Sequence, residues 1–428
     1  MCGLKSKALR GVAVCSGMRD NELYAKILGI QRPWQVTAVT LHPEAGEVQV
    51  VLAAVDAALC CPTCGAPCPG YDHRERRWRH LDTCQYRTIL IAAVPRVRCA
   101  THGVVQVALP WAEAGSRFTA LFEALAIDWL REASLTAVAR QLGLSWDEAD
   151  GILGRAVARG LARRSVGCPR RIGVDETSFQ KRHEYVTVVC DLDAAPPRVL
   201  YVADDHTEQS LAGFFAALGP AACARLEVVC MDMWRAYIKA TRRFVPAADQ
   251  KIAFDKFHVA RLLGDAVDRV RRREHRALRA QGDATLTGTR YWWLANPAQM
   301  ARTRARQFAP LRQSALKTAR AWALKELAMT LWRYGRRGWA AKAWAAWLAW
   351  AHRCRLGPMQ AVARTVQKYL WGILNALVLG VTNARAEGIN SQIQALKRRA
   401  CGYRTRARFR HAIYFHLGGL DLYPDGVR

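Results

Sequence analysis

Arg171-Ile-Gly-Val-Asp175-Glu-Thr177 and Leu226-Glu-Val-Val-Cys-Met-Asp232-Met-Trp234 are two short runs rich in β-branched residues, each ending on an aspartate. Between them, Glu184–Leu192 and Arg198–Ala203 have the same character, whereas Glu208–Leu218 repeats its apolar residues at helical spacing. This pattern predicts strands over 171–177, 184–192, 198–203 and 226–231, with a helix before the last. Lys251–Phe254 can add a fifth strand, and everything from Asp255 to about Val381 reads as helical.

Three strands, a helix, then a strand that ends in an acid is the opening order of an RNase H-like domain. In such a sheet the first and fourth strands are parallel neighbours, which would set Asp175 and Asp232 about 5 Å apart. Two divalent ions, Mg²⁺ or Mn²⁺, roughly 4 Å apart can share such a pair. A third acid should come from a helix near the same sheet edge. Asn383-Ala-Arg-Ala-Glu387-Gly-Ile-Asn-Ser-Gln-Ile-Gln-Ala-Leu-Lys-Arg398 fits, with Ala386, Ile389, Ile393 and Leu396 as its apolar stripe. Glu387, Asn390, Ser391 and Gln394 form the polar strip beside it. Glu176 is the rival to Asp175, but pleating sends it to the opposite face. Asp191, Asp193, Asp204 and Asp205 read as solvated turn residues. Asp255 and His258 share a helix face at i and i+3, a spacing that suits either a contact to the site or a helix cap.

Working toward the N-terminus, Ser134-Leu-Thr-Ala-Val-Ala-Arg-Gln-Leu-Gly143-Leu-Ser145-Trp-Asp-Glu148 has the form of a helix-turn-helix. Gly143 suits the turn, and Ser145 with Glu148 makes a capping box for a second helix, 146 to about 158, able to enter a major groove. The plain alternative is a helical pair that packs two domains. Further upstream, Cys61-Pro-Thr-Cys64-Gly and Cys99-Ala-Thr-His102-Gly are two halves of a tetrahedral zinc site. Cys60, Cys68, His73, His80 and Cys84 are rival ligands. With four protein ligands the zinc would be structural, bracing a basic module that carries Arg74, Arg76, Arg77 and Arg79. Trp34–Leu41 and Glu47–Ala53 alternate as a hairpin should, after a short helix over 20–30.

The totals agree with these motifs. The chain has 428 residues, which predicts two to four domains. It carries 64 Lys plus Arg against 35 Asp plus Glu, a net charge of +29, so a polyanionic partner is expected, double-stranded DNA first. A compositional bias toward Arg and Ala does not by itself explain so few acids. Its 14 cysteines point to metal and buried thiols rather than disulfides. The apolar runs 343–351 and 370–381 are too short to span a membrane, and the first 15 residues have no signal-peptide core. A bacterial cytoplasmic location, at the nucleoid when DNA-bound, is the expectation.

In this order the pieces resemble the insertion-sequence transposases of the ISL3 family. They are the Cys61/Cys64 knuckle, the helix-turn-helix, Gly-Val-Asp175-Glu-Thr-Ser, Asp232-Met-Trp, Ala253-Phe-Asp-Lys-Phe-His-Val, and Ala386-Glu387-Gly-Ile-Asn-Ser, leading into Lys397-Arg-Arg-Ala-Cys-Gly-Tyr-Arg. The resemblance covers nearly the whole chain. It implies a DDE enzyme with Asp175, Asp232 and Glu387 as its acids, and recognition of terminal inverted repeats and target DNA. Synapsis of two ends implies a dimer or higher oligomer on DNA. Two departures stand out. His102 occupies a position more often held by Cys, and Asp232 and Glu387 are 155 positions apart, which requires an inserted helical domain.

The expected architecture is thus α+β and multidomain. It comprises an N-terminal helix and hairpin (1–55), a zinc-binding module (56–110), a helix-turn-helix (111–166), and an RNase H-like α/β catalytic domain (167–428) with a large α-helical insertion over about 260–380. That insertion holds nine of the fifteen tryptophans: Trp292, Trp293, Trp322, Trp332, Trp339, Trp344, Trp347, Trp350 and Trp371. They read as core, or in one case as a stacking surface for an unpaired base. Basic runs at 269–276 and 397–410 would line the DNA path. Two other functions fit the same residues: a DNA-binding relic that no longer cuts, and a nuclease without strand transfer.

Overall fold

The computed structural model describes residues 19–55, 59–165, 167–180, 184–381 and 384–427. The reading of the first 15 residues, Asn383, and the expected domain edges at 56 and 166 lie outside them. The chain forms two compact units, 1–162 with 421–428, and 163–420.

In the first unit, α1 (Asp20–Ile27) precedes β1 (Trp34–His42) and β2 (Glu47–Ala54), which pair antiparallel as the alternation predicts. The cysteine-bearing segment adds β3 (Gly70–Arg79), β4 (Arg87–Cys99) and β5 (Gly103–Gln106). Long β4 pairs β3 and β5 antiparallel and β2 in parallel, so hairpin and cysteine segment share one sheet. Its inward residues Val50, Leu52, Leu90 and Val94 close on Trp34, Trp78 and Trp111, whose rings meet edge to face.

Three helices follow: α2 (Ala120–Glu132), α3 (Leu135–Gln141) and α4 (Trp146–Arg163). Thr119 and Ser134 cap the first two through their hydroxyls. The capping box of α4 forms in both directions, with Ser145 N–H donating to Glu148 at 2.9 Å and Glu148 N–H to Ser145 Oγ at 3.2 Å. Gly143 turns the chain between α3 and α4 at φ +64°, where a side chain would be strained. Under these helices Glu123 is 1% exposed, accepting from Ser116 Oγ, Arg155 and Arg159.

The second unit is built on β6 (Arg171–Gln180), β7 (Glu184–Asp191), β8 (Arg198–Ala203), β9 (Val228–Met231) and β10 (Ile252–Phe254), in the order β10-β9-β6-β7-β8. The first three form an antiparallel meander. Helices α5 (Glu208–Leu218) and α6 (Pro220–Arg225) carry the chain to β9, which joins β6 in parallel. Next, α7 (Arg235–Phe244) and α8 (Ala248–Lys251) lead to β10, parallel to β9.

Six helices occupy 256–379: α9 (Lys256–Ala280), α10 (Arg290–Leu294), α11 (Arg302–Arg312), α12 (Lys317–Thr330), α13 (Arg337–Arg353) and α14 (Gly357–Leu379). Trp293, Trp344 and Trp347 are fully buried among them, whereas Trp339 is 61% exposed. Gly372 of α14 lies so close to the Phe254 ring of β10 that a Cβ there would collide with it. The chain then returns through α15 (Ala384–Arg399), which packs on β6, and α16 (Arg406–Leu417), whose Tyr414 hydroxyl accepts from Val202 N–H of β8. Among the described residues no helix is long and apolar enough to cross a membrane.

Candidate active site

The parallel register explains how the acids meet. Gly173 pairs with Cys230, and Met231 with Phe254. Continued past the strand ends, the same register sets Asp175 beside Asp232 and Asp232 beside Asp255. Adjacent strands lie about 4.8 Å apart, so the backbones of three aspartates stand in a row at the ends of three neighbouring strands. Backbone bonding confirms the last step, because Asp255 N–H donates to Met231 O at 3.0 Å.

The polar strip of α15 lies against this row. Asn390 Nδ2 donates to Asp175 Oδ2 at 2.7 Å, Gln394 Nε2 to Thr177 Oγ1 at 2.7 Å, and Lys397 Nζ to Ser178 O at 2.9 Å. Glu387 lies on the same strip, with Asp255 among its charged neighbours. Asp255 also caps α9, accepting from Phe257 N–H at 3.3 Å, and its Oδ2 stands 4.0 Å from His258 Nε2. Of the two sequence readings of the Asp255/His258 pair, the cap is the one seen as a hydrogen bond.

Burial sets the electrostatics. It pushes Asp175 up to about 6, helped by neighbouring Asp232 and Asp255, while His258 opposes the shift. Burial also raises Asp232 to about 6, with Glu176 its strongest charged neighbour. Glu387 is raised by burial and then by Asp255. Pleating does place Glu176 away from α15: its register partner Thr187 bonds the Tyr237 hydroxyl of α7 at 2.8 Å. Yet Glu176 acts on Asp232, so it is no bystander. At the end of a sheet both faces reach the same rim.

Other expectations need adjusting. Asp191 is a turn residue but a buried one, accepting from Asp193 N–H and Ala194 N–H, while Arg198 pairs with it. In the 269–276 run, Arg271 and Arg272 are committed to Asp268, and Glu274 caps α12 through Lys317 and Thr318 N–H. That part of the run serves the helices. An exposed ring the sequence reading passed over is Trp234, 44% exposed two residues past Asp232, its indole N–H fixed on His206 O at 3.0 Å.

In the first unit, Cys61, Cys64, Cys99 and His102 converge, their ligand atoms all within 4.8 Å of one another. Cys64 Sγ is 3.7 Å from Cys99 Sγ, and His102 Nδ1 is 3.6 Å from both Cys61 and Cys99 Sγ. A tetrahedron with bonds of about 2.3 Å has edges of about 3.8 Å, so the cage has the size zinc needs. Backbone N–H of His102, then its imidazole, lower Cys99 to about 6, favouring the thiolate. Of the rivals, His80 is buried against Thr119 Oγ1 at 2.9 Å, and Cys68 sits next to Cys99, beside the four.

A family profile described as a transposase, of the DDE type and ISL3 group, matches residues 172–413, more than half the chain. The chain belongs to the ISL3 transposase family. Two further profiles match this transposase in order: the zinc finger of transposases IS204/IS1001/IS1096/IS1165 over 58–102, and the helix-turn-helix domain of transposase family ISL3 over 107–157. It is 30% identical to the transposase for insertion sequence element IS1557 of Mycobacterium tuberculosis, over 91% of this chain and 93% of that one. It is 28% identical to the transposase for IS1001 of Bordetella parapertussis, over 89% and 93%.

Proposed function

We propose that this DNA transposase binds the terminal inverted repeats of its insertion sequence and catalyses metal-dependent strand cleavage and strand transfer, with Asp175, Asp232 and Glu387 as catalytic acids. The observation that supports the reading is the register of β6 and β9, which brings two half-buried aspartates to neighbouring strand ends beneath the helix that carries Glu387. The meander, the parallel β9 and β10, and the acids at the strand ends support an RNase H-like core. The helices over 256–379 then stand as its insertion; of the expected domains, 1–55 and 56–110 share one sheet, 111–166 follows them, and 167–428 is the catalytic domain less the 421–428 segment that joins the first unit.

The donor set fits hard cations. It is all oxygen, burial and then neighbouring carboxylates raise its two aspartates, and Asn390 Oδ1 is a buried acceptor without a hydrogen-bond partner. Two Mg²⁺ or Mn²⁺ ions, when bound, supply Lewis-acid stabilisation of the phosphorane-like charge. The protein's own contribution is placement. Asn390 fixes the Asp175 carboxylate, Trp234 N–H holds Asp232 Oδ1 at 3.1 Å, and α15 positions Glu387. Water attack breaks the bond from phosphorus to the 3′ oxygen. The freed 3′ hydroxyl then attacks a target phosphodiester and displaces its 3′ oxygen.

Cys61, Cys64, Cys99 and His102 would hold one structural zinc. The capped α4 would read the major groove with its first turn, in a bacterial cytoplasm and as a dimer or larger assembly on two ends. The test is incubation with the element's ends and Mg²⁺. Specific nicks followed by joined products support the reading. Nicks without joining would make the protein a nuclease, and binding without nicks a relic.

A further inference from the structure

Resting on that catalytic reading, we infer that Trp234 is a DNA-contacting residue of the same centre, its ring stacking on a base of the element's end beside the scissile phosphate. The ring stands next to where the chemistry would occur. Trp234 is two residues past Asp232, and its backbone N–H donates to Asp232 Oδ1 at 3.1 Å, so one turn fixes both the carboxylate and the ring. The side chain is presented to solvent, 44% exposed. It is also held in one orientation. The indole N–H donates to His206 O at 3.0 Å, the His206 ring is tilted against the indole with centroids 5.7 Å apart, and Tyr185 of β7 meets His206 edge to face at 5.5 Å. With its one polar atom already bonded to protein, the exposed part of the ring offers a partner only apolar π surface. A nucleobase is the part of DNA that matches such a surface.

Local chemistry does not ask for tryptophan at this position. Trp234 is the N-cap of α7, where Ser, Thr, Asp or Asn would bond the first N–H groups of the helix, and its side chain makes no such bond. Nor does it fill the core. Trp293 and Trp347 likewise donate their indole N–H to protein oxygens, and both are buried. Trp234 has their anchorage without their burial. Trp339 of α13 is the more exposed ring, but Lys342 already lies over it at 5.4 Å. A base can meet the face of Trp234 only where the duplex is unstacked, and the end being cut and released is such a place. Stacking accepts any base, so this contact places the DNA while sequence is read elsewhere. Removing such a ring typically costs about 5- to 150-fold per base.

The decisive variants, in the full chain, are Trp234→Ala and Trp234→Phe. Tm and single-turnover cleavage in Mg²⁺ are measured on a duplex carrying the element's end, and on duplexes in which one nucleotide at a time around the cut is made abasic. The inference predicts an unchanged Tm and cleavage slowed about 5- to 150-fold by Trp234→Ala. Trp234→Phe, which restores a ring without the bond to His206, should recover most of that loss. At one abasic position wild type should slow by the same factor, and Trp234→Ala should lose nothing further, because ring and base are two halves of one contact. Independent losses at every abasic position would overturn the inference. So would a Phe variant as slow as the Ala variant, which would leave the ring only an anchor for His206, or a large fall in Tm for both. Glu387→Gln, run in parallel, separates the two levels. If it cuts normally, the catalytic reading has failed and the inference with it; if it is dead while Trp234→Ala cuts at the wild-type rate, only the inference has.

Discussion

Asp175 and Asp232 each have a folded-state pKa of about 6 against an ordinary 3.8, so the fold favours their protonated forms. Their contribution to stability is fullest below about pH 4 and is lost as the pH rises through about 6. At neutral pH and without metal they are a liability of roughly 1–3 kcal/mol each, less than additive because they act on one another. Asp175→Asn and Asp232→Asn should therefore raise the Tm of chelator-treated protein at pH 7.5 and do little at pH 4.5. Destabilisation by either at pH 7.5 would contradict the burial argument. Metal must displace those protons, so half-saturating Mn²⁺ for cleavage should climb as the pH falls from 7 to 5.5. Zinc is the second residue-scale test: elemental analysis should find roughly one zinc per chain, lost in Cys64→Ser and kept on replacing the exposed Cys84 by Ser. Spacing pointed to Cys61, Cys64, Cys99 and His102, but Cys60, Cys68, His73, His80 and Cys84 stayed rivals until the fold brought those four together. The place of Asp255 was not legible. Its strand is three residues long and its local role as a cap is genuine, so nothing local reveals that a parallel register delivers it to Asp232.

Elements were legible where local chemistry decides them. The capping box, the glycine turn and the β-branched runs each fix a boundary from neighbouring residues. Non-local pairings, such as β2 with β4, leave no local mark. The helix-turn-helix illustrates how unequal two polar residues are. Ser145→Ala removes an exposed cap and should cost about 1 kcal/mol. Glu123→Ala strips a buried acid from Ser116, Arg155 and Arg159 and should cost about 3–5 kcal/mol, read by chemical denaturation of the first unit. Equal effects would mean that the buried network contributes no more than a surface cap. At the sheet, Gly372→Ala must displace the Phe254 ring and should destabilise the second unit by about 1–3 kcal/mol.

At the scale of the whole molecule, a net charge of +29 predicts that binding to any duplex weakens steeply with salt. Preference for the element's ends should reside in the first unit, which contains more than the N-terminal half suggests. Arg159 donates to Leu422 O, and Tyr423 pairs with Asp128. A fragment lacking end recognition should thus omit 421–428 along with 1–162, and keep salt-sensitive but sequence-neutral binding. If 163–420 alone still selects the ends, recognition has been assigned to the wrong unit. The central claim, that three acids at the rim of one sheet do the cutting, meets its most direct test in one gel. Wild-type protein, Asp175→Asn, Asp232→Asn and Glu387→Gln are each incubated in Mg²⁺ with a labelled duplex carrying the element's end, after equal binding is shown. The account predicts a nick at the end and its joined product for wild type, and neither for any variant. Normal cutting by all three variants would contradict it outright.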